Sequence, residues 1–490
     1  MSVAETLYWV VLIIFSVFLI GLGVLGYRTS RKSFADYAIA GGTLGYVATY
    51  FYLSWAVLSA FTVMGYIGTA YRTGAAYLFA PFPGIIGDMI AILLFGIWFI
   101  AYRDLFNAST PAEALGIRYQ SKSLRILVAA LWFVFVCPYI ALQNAAVART
   151  MAPIYGTTYE WGLVFCVVLA LIYVFLGGAR AAAWTSIVMG IIATVGFLLP
   201  ILYISATVIS PVDALARAGS DWWLTPGPAG VYTPTFAVVF ALLFGFTGIG
   251  WPHRALMAMS AKDKKVLKMT AALLLPTHVV MFSTSTLIAL IFAKALVPGL
   301  TGSAADAAYM IMIQRFCPMG FDLLYLLVVM SAALTTAAAQ ALVCGTFFAN
   351  DIYKVLKPNA SQKEIVNVST IMVVVSSVIG LAWAVLSPVS VGLFLTNIAS
   401  PGLGIALPVM LGMVWKRASK EAGIVGIVIG ILAAVVNMVY PPAFAWFPYA
   451  PAMPMILGVL SWFIVCLFTK PPEDITKKYV DEARNWLKTH

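Results

Sequence analysis

The chain has 490 residues, of which 62% are hydrophobic and only 10% charged, and a formal net charge of +11. So little charge cannot clothe a water-soluble protein of this size, and no polar stretch is long enough to fold as a soluble domain. The basic excess lies in short loops and the C-terminal tail, which favours membrane lipid headgroups as its partner and excludes a nucleic-acid reading.

Apolar runs of about 20 residues, the length of a helix that crosses a hydrocarbon core, recur thirteen times. They lie near 7–27, 42–70, 77–101, 123–150, 159–177, 183–208, 234–256, 268–293, 320–349, 366–386, 390–414, 422–440 and 450–468, here spans 1 to 13. Span 1 lacks the basic leader and small-residue cleavage site of a signal peptide and is read as retained. Span 2 carries Ser54, Ser59, Thr62, Gly65 and Gly68, and span 7 ends in Gly245, Thr247, Gly248, Gly250 and Pro252. Such clusters weaken a helix and free its backbone groups for ligands. The two spans are five apart, the interval expected of an inverted repeat whose five-helix halves each begin with a broken helix.

Ionisable residues at bilayer depth are functional candidates by default. Asp88, near mid-depth in span 3, reads equally as a proton or cation partner and as a packing group. His278 in span 8 follows Pro276 and reads first as a partner for the carbonyl that the proline frees. Arg149, at the outer end of span 4, reads as snorkelling to the interface. The long connections 209–233 and 294–319, the second helix-compatible from Ala304 to Phe316, read as lids or as surface cover. Span 9 places Ser331, Thr335 and Thr336 in an otherwise apolar helix, with the Ala332 carbonyl one turn before the Thr336 hydroxyl. These hard oxygens suit a small cation; back-bonding to the preceding turn is the plain alternative.

Arg72, Arg149, Arg217, Lys294 and Arg315 fall on one side of the predicted spans, leaving the other 24 of the 29 Lys and Arg residues on the opposite side. The positive-inside rule then puts the N-terminus outside and the C-terminus in the cytoplasm, in the cell (plasma) membrane, and an odd span count agrees. The five cysteines have no paired spacing, so neither a disulfide nor a metal framework is expected, and no motif calls for an organic cofactor. Without HExxH, GxSxG or paired intramembrane aspartates the chain is not read as an enzyme. The tail is too short for a signalling domain, and the polar residues are too scattered to line a channel. No feature sets an oligomeric state.

Four stretches resemble the sodium/solute symporters, which have a leucine-transporter-type core: GGARAAAW (Gly177–Trp184), IGWPHRALMAMSAKD (Ile249–Asp263), the span 9 run ending Asn350–Lys354, and SPGLGIALPVMLGMVWKR (Ser400–Arg417). The resemblance implies an all-α polytopic membrane protein of about 13 transmembrane helices around a 5+5 inverted-repeat core with two broken helices. Its parts are an extra first helix and loop (1–35), the first repeat (36–208), an extracellular loop (209–233), the second repeat (234–415), two more helices (416–470) and a tail (471–490). It also implies a sodium site between spans 2 and 9, with the carbonyls of Trp55, Leu58 and Ala332 and the hydroxyls of Thr335 and Thr336 as ligands. Ser186 stands where many members have an aspartate, which keeps a proton as the alternative coupling ion, with Asp88 and His278 as its carriers.

Substrate contacts implied between the breaks are Ser54, Ser59, Thr62, Gln143, Asn144, Thr247 and Asn397. With no Lys or Arg expected at the midplane, hydroxyls, amides and half-helix N-termini suit a small monocarboxylate. The expected function is sodium-driven uptake of that solute by alternating access. A proton-coupled carboxylate symporter and a sodium-coupled amino-acid symporter are the alternatives.

Overall fold

In hydrocarbon every backbone donor and acceptor must be met within the protein, and this chain meets them with helices. The structure, a computed structural model, describes residues 3–29, 33–79, 81–281, 286–386 and 400–489. Among the described residues the one extended pairing is an isolated bridge between Leu44 and Ala261. Nine described helices are long and apolar enough to cross a membrane, and the bent pair Pro234–Ile249 and Pro252–Ser260 makes ten. That number is below the thirteen runs for a structural reason. Span 2 is interrupted, span 5 passes into span 6 within one run (Tyr159–Thr207), and span 11 is described only as the short helices Ser400–Gly404 and Leu407–Val414.

Both expected breaks are present. Span 2 runs as helix from Tyr46 to Trp55, opens over residues 56–59, and resumes through a π turn (Phe61–Gly65) into Tyr66–Thr73. Span 7 bends by 49° between its halves. Pro252 restarts the second half at the first helical position, where its missing N–H costs nothing. Close approach fixes the glycine here: a Cβ on Gly250 would lie 2.6 Å from the Leu403 carbonyl oxygen of span 11. Between spans 5 and 6 the chain kinks at Gly178 (φ 56°, ψ −148°), a conformation that side chains avoid.

Span 9 is the centre of the bundle. It is 94% buried over its most apolar window, against 28% for span 1 and 39% for spans 12 and 13 at the periphery. It packs on spans 4, 5, 6 and 10, and its run of Ser, Ala, Thr and Gly lets those backbones come close.

On the face rich in basic residues, several arginines that the sequence presents as loop charges cap helix ends. Arg118 donates to the carbonyls of Gly412 (2.9 Å) and Trp415 (3.1 Å) at the end of span 11, and Arg103 to Met259 (2.6 Å) and Ala261 (2.5 Å) at the end of span 7. Arg125 pairs with Asp351 (2.7 Å) and Glu113 (3.0 Å). The terminal carbonyls of a helix have no intrahelical donor, so a cation there is favoured both by hydrogen bonding and by the dipole.

Tight packing behind span 9 makes one glycine testable. A Cβ on Gly345 would lie 2.4 Å from the Ser369 carbonyl oxygen of span 10. Gly345→Ala should lower the detergent melting midpoint by an amount equivalent to about 1–3 kcal/mol of overpacking. An unchanged midpoint would contradict this packing.

Candidate functional site

The break in span 2 leaves carbonyls and amides without helical partners, and the neighbouring spans supply them. The Thr335 hydroxyl oxygen lies 3.0 Å from the Trp55 carbonyl oxygen, 2.9 Å from that of Ser331 and 3.1 Å from that of Ala332. The Thr336 hydroxyl lies 3.2 Å from Trp55, 3.4 Å from Ala56 and 3.0 Å from Ala332 carbonyl oxygens. Six oxygens from two elements, none formally charged, therefore share one spot. Ligands about 2.4 Å from a common hard cation in octahedral geometry sit roughly 3.4 Å from each other, close to this spacing.

Four of the five expected sodium ligands, Trp55, Ala332, Thr335 and Thr336, are thus brought together. Leu58 is buried in the same turn, and the Thr336 hydroxyl contacts the carbonyl of Ala56 rather than that of Leu58. Ser331, one turn from Thr335, is fully buried with no hydrogen-bond partner for its hydroxyl. Ser186 donates back to the Ala182 carbonyl (2.7 Å).

Six of the seven expected substrate residues are described, and all six are buried. Ser54, Ser59, Thr62, Gln143, Asn144 and Thr247 are each no more than 1% exposed. Gln143 is positioned by the break itself: its side-chain oxygen accepts from the Ala60 amide (3.1 Å), while its Nε2 has no partner. The Ser59 hydroxyl accepts from the Phe61 amide (3.2 Å). Both amide atoms of Asn144 and the hydroxyl of Thr62 are buried without partners, a burial that costs each group its hydration with no return. These are the groups free to meet a ligand. Thr247 spends its hydroxyl on the Phe244 carbonyl (2.7 Å) and Ser54 lies 3.5 Å from His278 Nε2, so neither is equally available. Asn397 lies outside the described residues. Asp88 lies on the helix Pro81–Ile90.

Sequence reasoning passed over three rings. Tyr139, one turn from Gln143 on span 4, faces Trp251 and His253 across the span 7 break, with centroids 5.8 and 6.0 Å away. Both nitrogens of the fully buried His253 lack partners. The signal was present in Trp-Pro-His directly after the glycine cluster: a proline that restarts the helix puts the next residue at a half-helix N-terminus inside the break.

Two charge readings need correction. Arg254 is not a loop residue; because the helix restarts at Pro252, it is drawn into the span, 3% exposed and stacked over Trp251 at 4.8 Å. Arg149 does not snorkel to water either, since it pairs with the buried Asp306 at 3.1 Å.

Comparison with known proteins places the chain in a family and a fold. A family model described as the sodium:solute symporter family matches residues 37–430. A sodium/proline symporter of Escherichia coli is 26% identical over 96% of both chains. A sodium/pantothenate symporter of Haemophilus influenzae is 26% identical over 86% of this chain and 88% of its own. Among solved structures, an outward-open Na+-coupled sialic acid symporter superposes with a TM-score of 0.78 at 18% identity, covering 95% of this chain and 98% of its own. The nucleobase-cation-symport-1 transporter Mhp1 gives a TM-score of 0.59 at 12% identity, covering 92% and 99%. Both show a shared fold.

The cap on the Ala60 amide is separable by mutation. Gln143→Leu should destabilise the protein by about 1–3 kcal/mol, the cost of a buried donor left unmet, read as a lowered melting midpoint. Gln143→Glu, which keeps the acceptor oxygen, should lose less; equal losses in the two variants would show that the cap is unimportant.

Proposed function

The chain belongs to the sodium:solute symporter family, and from that premise we propose that it uses the sodium gradient to take up a small monocarboxylate by alternating access. As a member it is a multi-pass membrane transporter, a sodium-coupled solute symporter, and not of an enzyme class. The observation that carries the finer reading is the convergence of the Thr335 and Thr336 hydroxyls with the Trp55 and Ala332 carbonyls. A cation held there bridges the half-helix of span 2 to the central span 9. The same turn of span 2 continues into Ala60, whose amide is tied to the solute-side residue Gln143. Ordering the turn for one ligand orders it for the other, and such coupling is reciprocal, typically 1–3 kcal/mol, or about 5–150-fold in affinity.

The anion preference rests on chemistry common to the relatives' solutes: proline and pantothenate each carry one carboxylate. The groups available here, the amides of Gln143 and Asn144, the Thr62 hydroxyl and the N-terminus of the half-helix Pro252–Ser260, are donors suited to a carboxylate without a dedicated counter-ion. The names of the proline relatives keep a sodium-coupled amino-acid symporter as the second reading. Ser186, with no carboxylate to strengthen the cation field, motivates a third, proton coupling through Asp88 or His278.

Uptake into proteoliposomes under separate sodium and proton gradients decides the coupling ion. Thr336→Ala should raise the sodium concentration for half-maximal uptake roughly tenfold to hundredfold, the equivalent of one lost ligand, while Thr336→Ser keeps most of it. Uptake that ignores sodium and follows the proton gradient would overturn the sodium reading. Lactate, pyruvate, propionate and pantothenate should compete with the transported solute; competition by proline or galactose alone would exclude the monocarboxylate. Orientation is read independently: a cysteine at Lys416, half exposed beside Asp481, should resist an impermeant thiol reagent added to intact cells. Ready labelling would reverse the topology.

A further inference from the structure

The connection between spans 8 and 9 folds as a short 3-10 segment (Gly302–Ala307) and a helix (Ala308–Phe316) laid over the far end of span 2. Asp306 on it is buried, its side chain shut off from solvent between two arginines. Arg72, at the end of span 2, lies 2.9 Å from one carboxylate oxygen, and Arg149, near the end of span 4, lies 3.1 Å from the other. Arg72 also donates to the Gly302 carbonyl (2.8 Å). The fit is close, since a Cβ on Gly68 would lie 2.6 Å from the Asp306 Cα.

Two guanidinium groups on two different spans thus form a cradle for one carboxylate, and the carboxylate that fills it belongs to a connecting segment. Thr62 lies ten residues inward from Arg72 and Gln143 six inward from Arg149, depths of roughly 15 and 9 Å along a helix. The cradle therefore stands over the central residues on the very helices that carry them. We propose that Arg72 and Arg149 form an entry site for the carboxylate of an incoming solute, which Asp306 fills when this face is closed and vacates when the connection lifts. This rests on the monocarboxylate reading for the identity of its ligand.

The physical logic is exchange. Burying Asp306 is tolerable only while both cations hold it, because a buried carboxylate stripped of partners is costly. When the segment lifts, its carboxylate regains water, and the arginines are left facing the entrance with a double positive charge. A cleft lined by one sign of charge concentrates ions of the other. A solute carboxylate that takes the place of Asp306 is then delivered above the break, and closure returns Asp306 once the solute has moved inward.

The test does not need the transported solute. Thr69, buried and 3.4 Å from Arg72, is replaced by cysteine in a Cys317→Ser background. In proteoliposomes it is challenged with an anionic and a cationic methanethiosulfonate of similar size. Asp306→Asn, which removes the competing charge but keeps the shape, should raise the anionic-to-cationic rate ratio by about tenfold. Propionate at constant sodium should slow the anionic reagent in that variant. Adding Arg149→Gln should abolish both effects, and Arg149→Lys should keep the ratio, which separates charge from packing. A ratio unchanged by Asp306→Asn, or protection that survives Arg149→Gln, overturns the entry site. If the ratio rises and propionate protects but no carboxylate is transported, the entry site stands and the monocarboxylate reading falls.

Discussion

Two interrupted helices deep in a membrane protein free backbone groups that hydrocarbon cannot satisfy, and the surroundings of this core are arranged to meet them. The Ala60 amide is met by Gln143 and the Phe61 amide by Ser59. The Gly250 carbonyl is met by the Trp132 indole at 3.1 Å, and the Trp55 and Ala56 carbonyls by Thr335 and Thr336. Each unmet group would cost several kcal/mol. Spans 4 and 9 therefore carry polar residues at the heights where spans 2 and 7 are broken. The groups that make a broken helix tolerable are the same ones that can exchange a hydrogen bond for a ligand.

That exchange gives the coupling its sign. The Thr335 and Thr336 hydroxyls can donate to the carbonyls one turn earlier in their own helix, at 2.9 and 3.0 Å, and still present oxygen lone pairs to a cation. In the proposed site a cation would substitute for direct contact with Trp55 and hold span 2 against span 9 through its charge. The residues of the span 2 break itself, 52–71, are all buried. Toward one face Asp306 sits between its two arginines. Toward the other face, the start of span 2 is joined to the end of span 7 by the Leu44–Ser260 and Lys262–Leu44 hydrogen bonds, 3.0 and 2.9 Å long. The two broken helices are thus linked at one end.

What the sequence made legible depends on whether the physics is one-dimensional. Span positions follow from runs of apolar residues, and both breaks follow from local Gly and Pro chemistry, so spans 2 and 7 were read correctly. The Thr335 and Thr336 pair was visible from helical spacing, but its partners on span 2 came from resemblance, and the turn at residues 56–59 puts Ala56 rather than Leu58 in contact. Pairings across spans left no linear trace. Arg149 and Arg72 are far from Asp306 in sequence, and nothing local marks Tyr139 as the ring that faces His253. Counting basic residues by side also treated Arg103, Arg118 and Arg254 as loop charges, although they are bound to helix ends or drawn into a span. Where a residue both obeys the positive-inside pattern and caps a helix, the pattern hides the contact.

The central claim is that the span 2 break and the span 9 hydroxyls close around a sodium ion. It is tested most directly by determining the structure twice, in sodium and in a large organic cation such as choline. The account predicts density in sodium alone, about 2.4 Å from the Thr335 and Thr336 hydroxyls and the Trp55 and Ala332 carbonyls. In choline those oxygens should fall back to direct hydrogen bonds. No added density in sodium, with the hydroxyls bonded to the same carbonyls in both, would contradict it.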